Sequence, residues 1–332
     1  MNTDQFPYAA PWWLPGGNAQ TLWAALASRR HFGPAPTWTR SRWSTPDGDF
    51  IDVDQARHTS RSGAPLLVLF HGLEGSSASQ YAVAFADFAA THGLAFAVPH
   101  FRGCSGELNH APRAYHSGDF EEIDWILKRF ATEHPGRPLI AAGVSLGGNA
   151  LMRWAAEMGA SAGQRVRAVA SICSPLDLAA GGHAIGRGFN RLVYTRMFLR
   201  SMVPKALAKL AQHPGLFDAE ALRAARDLYA FDNLFTAPLH GFRDTPDYWS
   251  RASAKPVLHQ IRVPALALNA RNDPFVPVAS LPTPQQVGRH VTLWQPGQGG
   301  HVGFPVAHGV LGLPGNVRAM PDAVGHWLLS HL

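Results

Sequence analysis

The sequence predicts an α/β protein built on a mostly parallel central sheet, with helices on both faces and a helical insertion late in the chain. Three observations carry this expectation: short runs that are apolar at every position, amphipathic stretches alternating with them, and one interval too long for a single crossover. At 332 residues, 46% hydrophobic and 16% charged, the chain suits one large domain with an inserted subdomain and shows no compositional sign of disorder.

Residues 39–44 and 50–55 read as strands around Pro46-Asp47-Gly48-Asp49, whose turn chemistry predicts a hairpin at the antiparallel N-terminal edge. Residues 65–70 (PLLVLF) then form a run expected of a strand buried on both faces, ending in the loop His71-Gly72-Leu73-Glu74-Gly75. Tyr81, Phe85 and Phe88 follow at helical spacing, then a strand over 94–99. Next comes a helix with Phe120, Ile123, Leu127 and Phe130 on one face, and a strand over 138–144. Asp119, Glu121 and Glu122 open that second helix, where negative charge complements the dipole. Strand alternating with helix in units of this length means right-handed crossovers and parallel pairing.

Two further strands, over 166–172 and 265–269, are separated by nearly a hundred residues. The chain is therefore expected to divide into a core of residues 1–176 and 256–332 and a helical cap or lid of residues 177–255. A last strand over 290–295 and a helix around 317–329 complete it.

Composition excludes several classes. Cys104 and Cys173 are too few for a disulfide framework and lack CxxC spacing. Residues 1–17 lack the basic and apolar regions of a secretory signal, and no apolar run reaches the length of a membrane span, so a cytoplasmic protein is expected. The net charge of +6 is carried almost wholly by Arg without any nucleic-acid-binding signature, so no nucleic-acid partner is expected. The excess is local: residues 178–255 hold eleven Lys/Arg against six Asp/Glu. In that stretch Val193, Met197 and Phe198 interleave with Arg196 and Arg200. This is the pattern either of a helix packed on a pocket with its charges solvated or of a lipid-facing stretch that makes peripheral membrane contact through a basic cap.

The strongest chemical signal is Gly143-Val144-Ser145-Leu146-Gly147, which stands directly after a buried strand and before the helical segment 150–158. Gly143 and Gly147 permit a sharp strand-to-helix corner, the nucleophile elbow of an α/β-hydrolase fold, which pushes Ser145 outward. The same corner aims the Leu146 N–H at a developing oxyanion, and the second donor is expected from Leu73 in the loop after an earlier strand. A serine needs a base and a carboxylate behind it. Asp273 follows a later strand, and His301 follows the glycine-rich residues 297–300, giving the order Ser, acid, His. Asp177 is the rival acid, and His308, His71 and His100 are the rival bases.

With these residues placed, the chain resembles the YheT-like branch of α/β hydrolases, bacterial esterases related to eukaryotic lipid-acting hydrolases. The likeness runs through Asn18-Ala19-Gln20-Thr21-Leu22-Trp23, HGLEG at 71–75, FRGCSGE at 101–107, GVSLGGN at 143–149, NARNDPFVP at 269–277 and GGHVGF at 299–304. It implies a triad of Ser145, Asp273 and His301, no cofactor, and hydrolysis of acyl esters. The N-terminal motif departs from the family at Gly17-Asn18-Ala19, where His-Leu more often precedes Gln-Thr.

The expected function is therefore a serine-dependent carboxylic ester hydrolase acting on short- to medium-chain acyl esters or lipids through an acyl-enzyme. An acyltransferase with the same triad is the alternative, and a non-catalytic binding protein on this fold is the more distant one. Cys104 lacks the strand-to-helix corner, so its segment reads as a turn shaping the pocket floor. HExxH and tight His/Asp clusters are absent from the sequence, which disfavours a metal-dependent hydrolase.

Overall fold

In the computed structural model, residues 6–58, 60, 63–307 and 315–332 are described; His308 lies outside them. The predicted hairpin forms β1 (Trp38–Ser44) and β2 (Phe50–Ala56), paired antiparallel with Trp43 opposite Ile51. The six further strands expected become β3 (Leu66–Phe70), β4 (Ala95–Pro99), β5 (Leu139–Val144), β6 (Ala168–Ile172), β7 (Ala265–Leu268) and β8 (Val291–Trp294). All eight join one sheet in the order β1-β2-β4-β3-β5-β6-β7-β8, in which β2 alone runs against the rest. The chain thus has an α/β-type sheet, mostly parallel with an antiparallel edge.

Helices cover both faces. α2 (Gln80–His92) and α12 (Ala319–Leu329) bury Phe85, Phe88, Val324 and Leu328 on one side. α3 (Phe120–Glu133) and α4 (Leu146–Met158) bury Ile123, Leu127, Phe130, Leu151 and Trp154 on the other. Burying one such side chain contributes about 1.5–3 kcal/mol, so these two layers hold the sheet rigid beneath its loops. The acidic start of α3 does more than complement a dipole. Glu122 is buried and binds Arg102 at 2.7 Å, while Asp119 pairs with Arg113.

Two helical features differ from expectation. Residues 16–26, read without secondary structure, form α1 (Gly16–Leu26), whose Pro-Gly-Gly start and weak amphipathicity hide it from periodicity. The stretch between β6 and β7 is helical, and two of its helices contain π-helical turns. It comprises α5 (Leu178–Ile185); α6 (Gly188–Asn190), which runs on through a π-helical turn at Arg191–Thr195 into α7 (Arg196–Gln212); α8 (Ala219–Ala224); α9 (Leu228–Phe231), which runs on through a π-helical turn at Asp232–Thr236 into α10 (Ala237–Leu239); and α11 (Thr245–Ala252). Asp177, Asp218, Asp227 and Asp244 accept N-terminal amides of α5, α8, α9 and α11 as N-caps.

Parallel registry sets the carboxyl ends of the central strands side by side. Phe70 pairs with Gly143, Val144 with Ile172, Ile172 with Leu268, and Leu268 with Trp294. Loops leaving these ends therefore converge over one edge, where ligands of open α/β sheets bind.

Candidate active site

Ser145 occupies the corner between β5 and α4 at φ 52°, ψ −118°, a left-handed conformation that costs a non-glycine residue about 1–3 kcal/mol. The corner closes because its neighbours lack side chains. A Cβ on Gly143 would stand 2.5 Å from the Gly147 carbonyl oxygen, and one on Gly147 would meet the backbone oxygens of Phe70 and His71. The Ser145 N–H donates to Ile172 O at 2.8 Å, tying the corner to β6.

His301, on the loop after β8, approaches from the far end of the chain. Its Nε2 lies 3.1 Å from Ser145 Oγ, and its Nδ1 lies 2.9 Å from Asp273 Oδ2. Asp273 is fully shielded, and its other oxygen accepts the Phe275 N–H at 2.8 Å. An imidazole that donates from Nδ1 to a carboxylate is left with Nε2 as acceptor for the serine hydroxyl, the polarity that proton abstraction needs. The Phe275 ring lies 4.2 Å from the imidazole, centroid to centroid, which further limits its rotation.

The rival residues are used otherwise. Asp177 caps α5 through Ala180 N and makes only a 4.0 Å contact with Lys255. His71 accepts the Phe101 N–H and is paired with Gly72 O; burial pushes it down to about 3, which keeps it neutral. His100 pairs with buried Asp54 at 2.9 Å. Burial pushes the Cys104 thiol up to about 12, leaving no thiolate at neutral pH, while Arg102 and Gly103 of the same turn line the cavity beside Ser145.

Leu73 and Leu146 flank the serine on its two neighbouring loops. A Cβ on Gly72 would lie 3.2 Å from Ser145 Cβ, so the β3 loop touches the corner. Among the described residues neither the Leu73 nor the Leu146 N–H has a protein acceptor, which leaves both for a ligand oxygen.

Several participants escaped the sequence reading. The N-terminal Gln20 and Thr21 brace the histidine loop: Gln20 Oε1 accepts from Gly299 N at 2.9 Å and from Asn272 Nδ2 at 3.0 Å, and Thr21 Oγ1 accepts the His301 N–H at 2.8 Å. Asn272 Oδ1 in turn accepts the Gly300 N–H. Gln-Thr stood out within its motif, but nothing local could show that its partners lie some 280 positions away. Glu74, at φ 57° directly after Leu73, receives Tyr115 OH at 3.0 Å and Lys205 Nζ at 2.9 Å.

The cavity above Ser145 is walled by loops at the strand ends and by the helices between β6 and β7. Leu178, Ile185, Phe198, Leu228, Phe231, Phe235 and Trp249 of those helices give it an apolar lining, and Glu74, Lys205, Lys209 and Asp232 add charge. Phe198 lines this cavity, whereas Met197 beside it is 57% exposed. Lys209 is buried, donates to Asn109 O and to Gln212 Oε1, and is pushed down to about 8 by burial.

Fold and site together define the class: the chain belongs to the alpha/beta hydrolase fold family, whose pattern matches residues 65–307. Within it the chain is a YheT-like, esterase- and lipase-type member. It is 38% identical over 279 residues to "Putative esterase YheT" of Escherichia coli (strain K12), covering 83% of this chain and 81% of that protein. Mouse phospholipase ABHD3 is 29% identical over 88% of this chain and 72% of its own length. Among solved structures, the Pyrococcus furiosus esterase Pf2001 shares the fold at TM-score 0.53 and 14% identity, over 89% of this chain and 90% of that one.

Proposed function

We propose that the protein hydrolyses carboxylic esters through an acyl-enzyme on Ser145. The observation that carries the reading is the continuous hydrogen-bonded chain from Ser145 Oγ through His301 to shielded Asp273, at the base of a largely apolar cavity. His301 Nε2 takes the hydroxyl proton as Oγ attacks the ester carbonyl carbon, and Asp273 holds the imidazole in orientation and stabilises its cation. The oxyanion is received by the N–H groups of Leu73 and Leu146, and the N-terminus of α4 adds positive potential. Collapse expels the alcohol, which leaves with the proton from His301. Water deprotonated by the same imidazole then attacks the acyl-enzyme, and the second collapse frees the acid and restores Ser145.

The apolar wall supports acyl esters of short to medium chain, or lipids, as substrates, with the insertion acting as the cap that shapes their site and brings it to lipid. The names of the relatives, esterase and phospholipase, agree with that class. The test is a panel of p-nitrophenyl esters of increasing chain length against the native protein and Ser145→Ala, with fluorophosphonate labelling alongside. Native protein should turn over and label, and the variant should do neither. Activity surviving in the variant would place the chemistry elsewhere. Transfer of the acyl group to an added alcohol or thiol in preference to water would make the enzyme an acyltransferase.

A further inference from the structure

The charge of the helical insertion is concentrated on one face. Arg191, Arg196, Arg200, Arg223 and Arg226 rim a groove floored by Leu199 and Val203. All five are exposed, and among the described residues none has a carboxylate within 4.0 Å. Five of the six acidic residues in 178–255 are committed elsewhere: Asp218, Asp227 and Asp244 cap helices, Asp247 pairs with Arg243 and Arg251, and Asp232 turns inward to Trp249. The sixth, Glu220 in the first turn of α8, is exposed and makes no ion pair among the described residues. Five guanidinium groups thus stand together without a paired carboxylate, an arrangement that favours an external anion.

Leu192 lines the same groove, and Phe189 and Met197 lie close to Arg191 and Arg196 in the chain. Phe189, Leu192 and Met197 are 50%, 57% and 57% exposed. Helix α7 joins this face to the active site. Phe198, Met202 and Lys205 line the cavity over Ser145, while Arg196, Arg200 and Val203 project from the opposite side into the groove.

We propose that this face of the insertion docks on an anionic bilayer, the arginines meeting lipid phosphates and Phe189, Leu192 and Met197 entering the headgroup boundary. The contact is peripheral in kind, since among the described residues no helix is long and apolar enough to cross a membrane. A nucleic-acid backbone would satisfy the charges but give three exposed apolar side chains nothing to enter, and a second copy of this face would bring like charges together. The inference deepens the ester-hydrolase reading, resting on it only for the consequence that docking sets the Ser145 cavity one helix away from lipid esters.

The test is sedimentation of the full chain with vesicles of phosphatidylcholine alone and of phosphatidylcholine mixed with phosphatidylglycerol, read without any catalytic step. Binding should be confined to the mixed vesicles and weaken with salt. Each arginine at an anionic surface is worth about five-fold in partitioning, so Arg196→Gln/Arg200→Gln/Arg223→Gln should weaken binding on the order of 100-fold. The same triple variant should hydrolyse a soluble short-chain ester as the native protein does, which also reports its folding, and Ser145→Ala should bind vesicles undiminished. Equal binding to both vesicle types, full binding by the triple variant, or an RNA or DNA duplex bound more tightly than the mixed vesicles would overturn the proposal. Failure of the native protein to hydrolyse any ester, with its vesicle binding intact, would instead overturn only the enzymatic reading.

Discussion

Lys205 of the helical insertion reaches Glu74 of the β3 loop at 2.9 Å, one residue beyond Leu73. Glu74 holds a left-handed backbone conformation and is kept there from two sides, by Lys205 and by Tyr115. Because Leu73 N–H is a proposed oxyanion donor, this pair makes the position of the insertion part of the geometry of catalysis.

Lys205→Met is therefore expected to lower kcat on a short soluble ester by about ten-fold, short of the 10²-fold or more typical of losing an oxyanion donor outright. KM should change little, and Lys205→Arg should keep most of the activity. Steady-state kinetics on the three proteins decides it: a change confined to KM would assign Lys205 to substrate binding instead.

Thr21 acts on the other reacting group. Its hydroxyl accepts the His301 N–H and donates to Gly17 O at 2.7 Å, so the helix α1 fixes the loop from behind. Thr21→Val leaves the His301 N–H without a partner, at about 1–3 kcal/mol, and frees the loop to drift. Displacement of about 1 Å can cost 10²-fold in rate, so kcat should fall between about ten-fold and that figure, with Thr21→Ser near native. Equal kcat in all three proteins would remove Thr21 from the positioning machinery.

How far these relationships were legible in the chain follows from their range. The strands from β3 to β7 were readable because burial on both faces leaves predominantly apolar runs, and the Ser145 corner because strand, glycines and helix are contiguous. Gln20, Thr21 and Glu74 were not, since each owes its role to a partner brought close only by tertiary folding. The insertion looked aperiodic because π-helical turns at Arg191–Thr195 and Asp232–Thr236 shift the repeat within its two longer helices, Pro204 interrupts one of them, and the remaining helices have only six to eight residues. Its punctuation was nevertheless present: the aspartates at 177, 218, 227 and 244 mark four helix starts, a capping signal that periodicity alone passes over.

The elbow glycines offer a steric test with a built-in control. A Cβ at position 143 meets Gly147 O at 2.5 Å and Gly148 Cα at 2.6 Å, backbone atoms that cannot yield without moving α4. Gly143→Ala should cost about 1–3 kcal/mol as an overpacked site and lose most activity, because the displaced helix carries Leu146. At Gly163 the nearest atom to a new Cβ is Val263 Cγ1 at 3.8 Å, so Gly163→Ala should be neutral or slightly stabilising. Thermal melts paired with ester turnover measure both, and a Gly143→Ala protein as stable and active as Gly163→Ala would refute the tight corner.

Asp232 gives a pH dependence whose sign can be worked out. Its carboxylate lines the cavity and accepts Thr236 Oγ1 at 2.7 Å and Trp249 Nε1 at 2.9 Å. Burial outweighs those two bonds and pushes the acid up to about 6, against about 4 in an unfolded chain. Between these values the native protein keeps a proton that the unfolded chain has released. The contribution of this group is thus fully present below about pH 4 and is lost as pH rises through about 6, by at most about 3 kcal/mol. Asp232→Asn has no charge to bury and lacks that loss. Denaturant unfolding of both proteins should accordingly show the variant gaining on the native protein from pH 4 to 7 and holding a constant difference beyond. A difference already constant across the whole range would mean that the carboxylate ionises at its ordinary pH, solvated through the cavity.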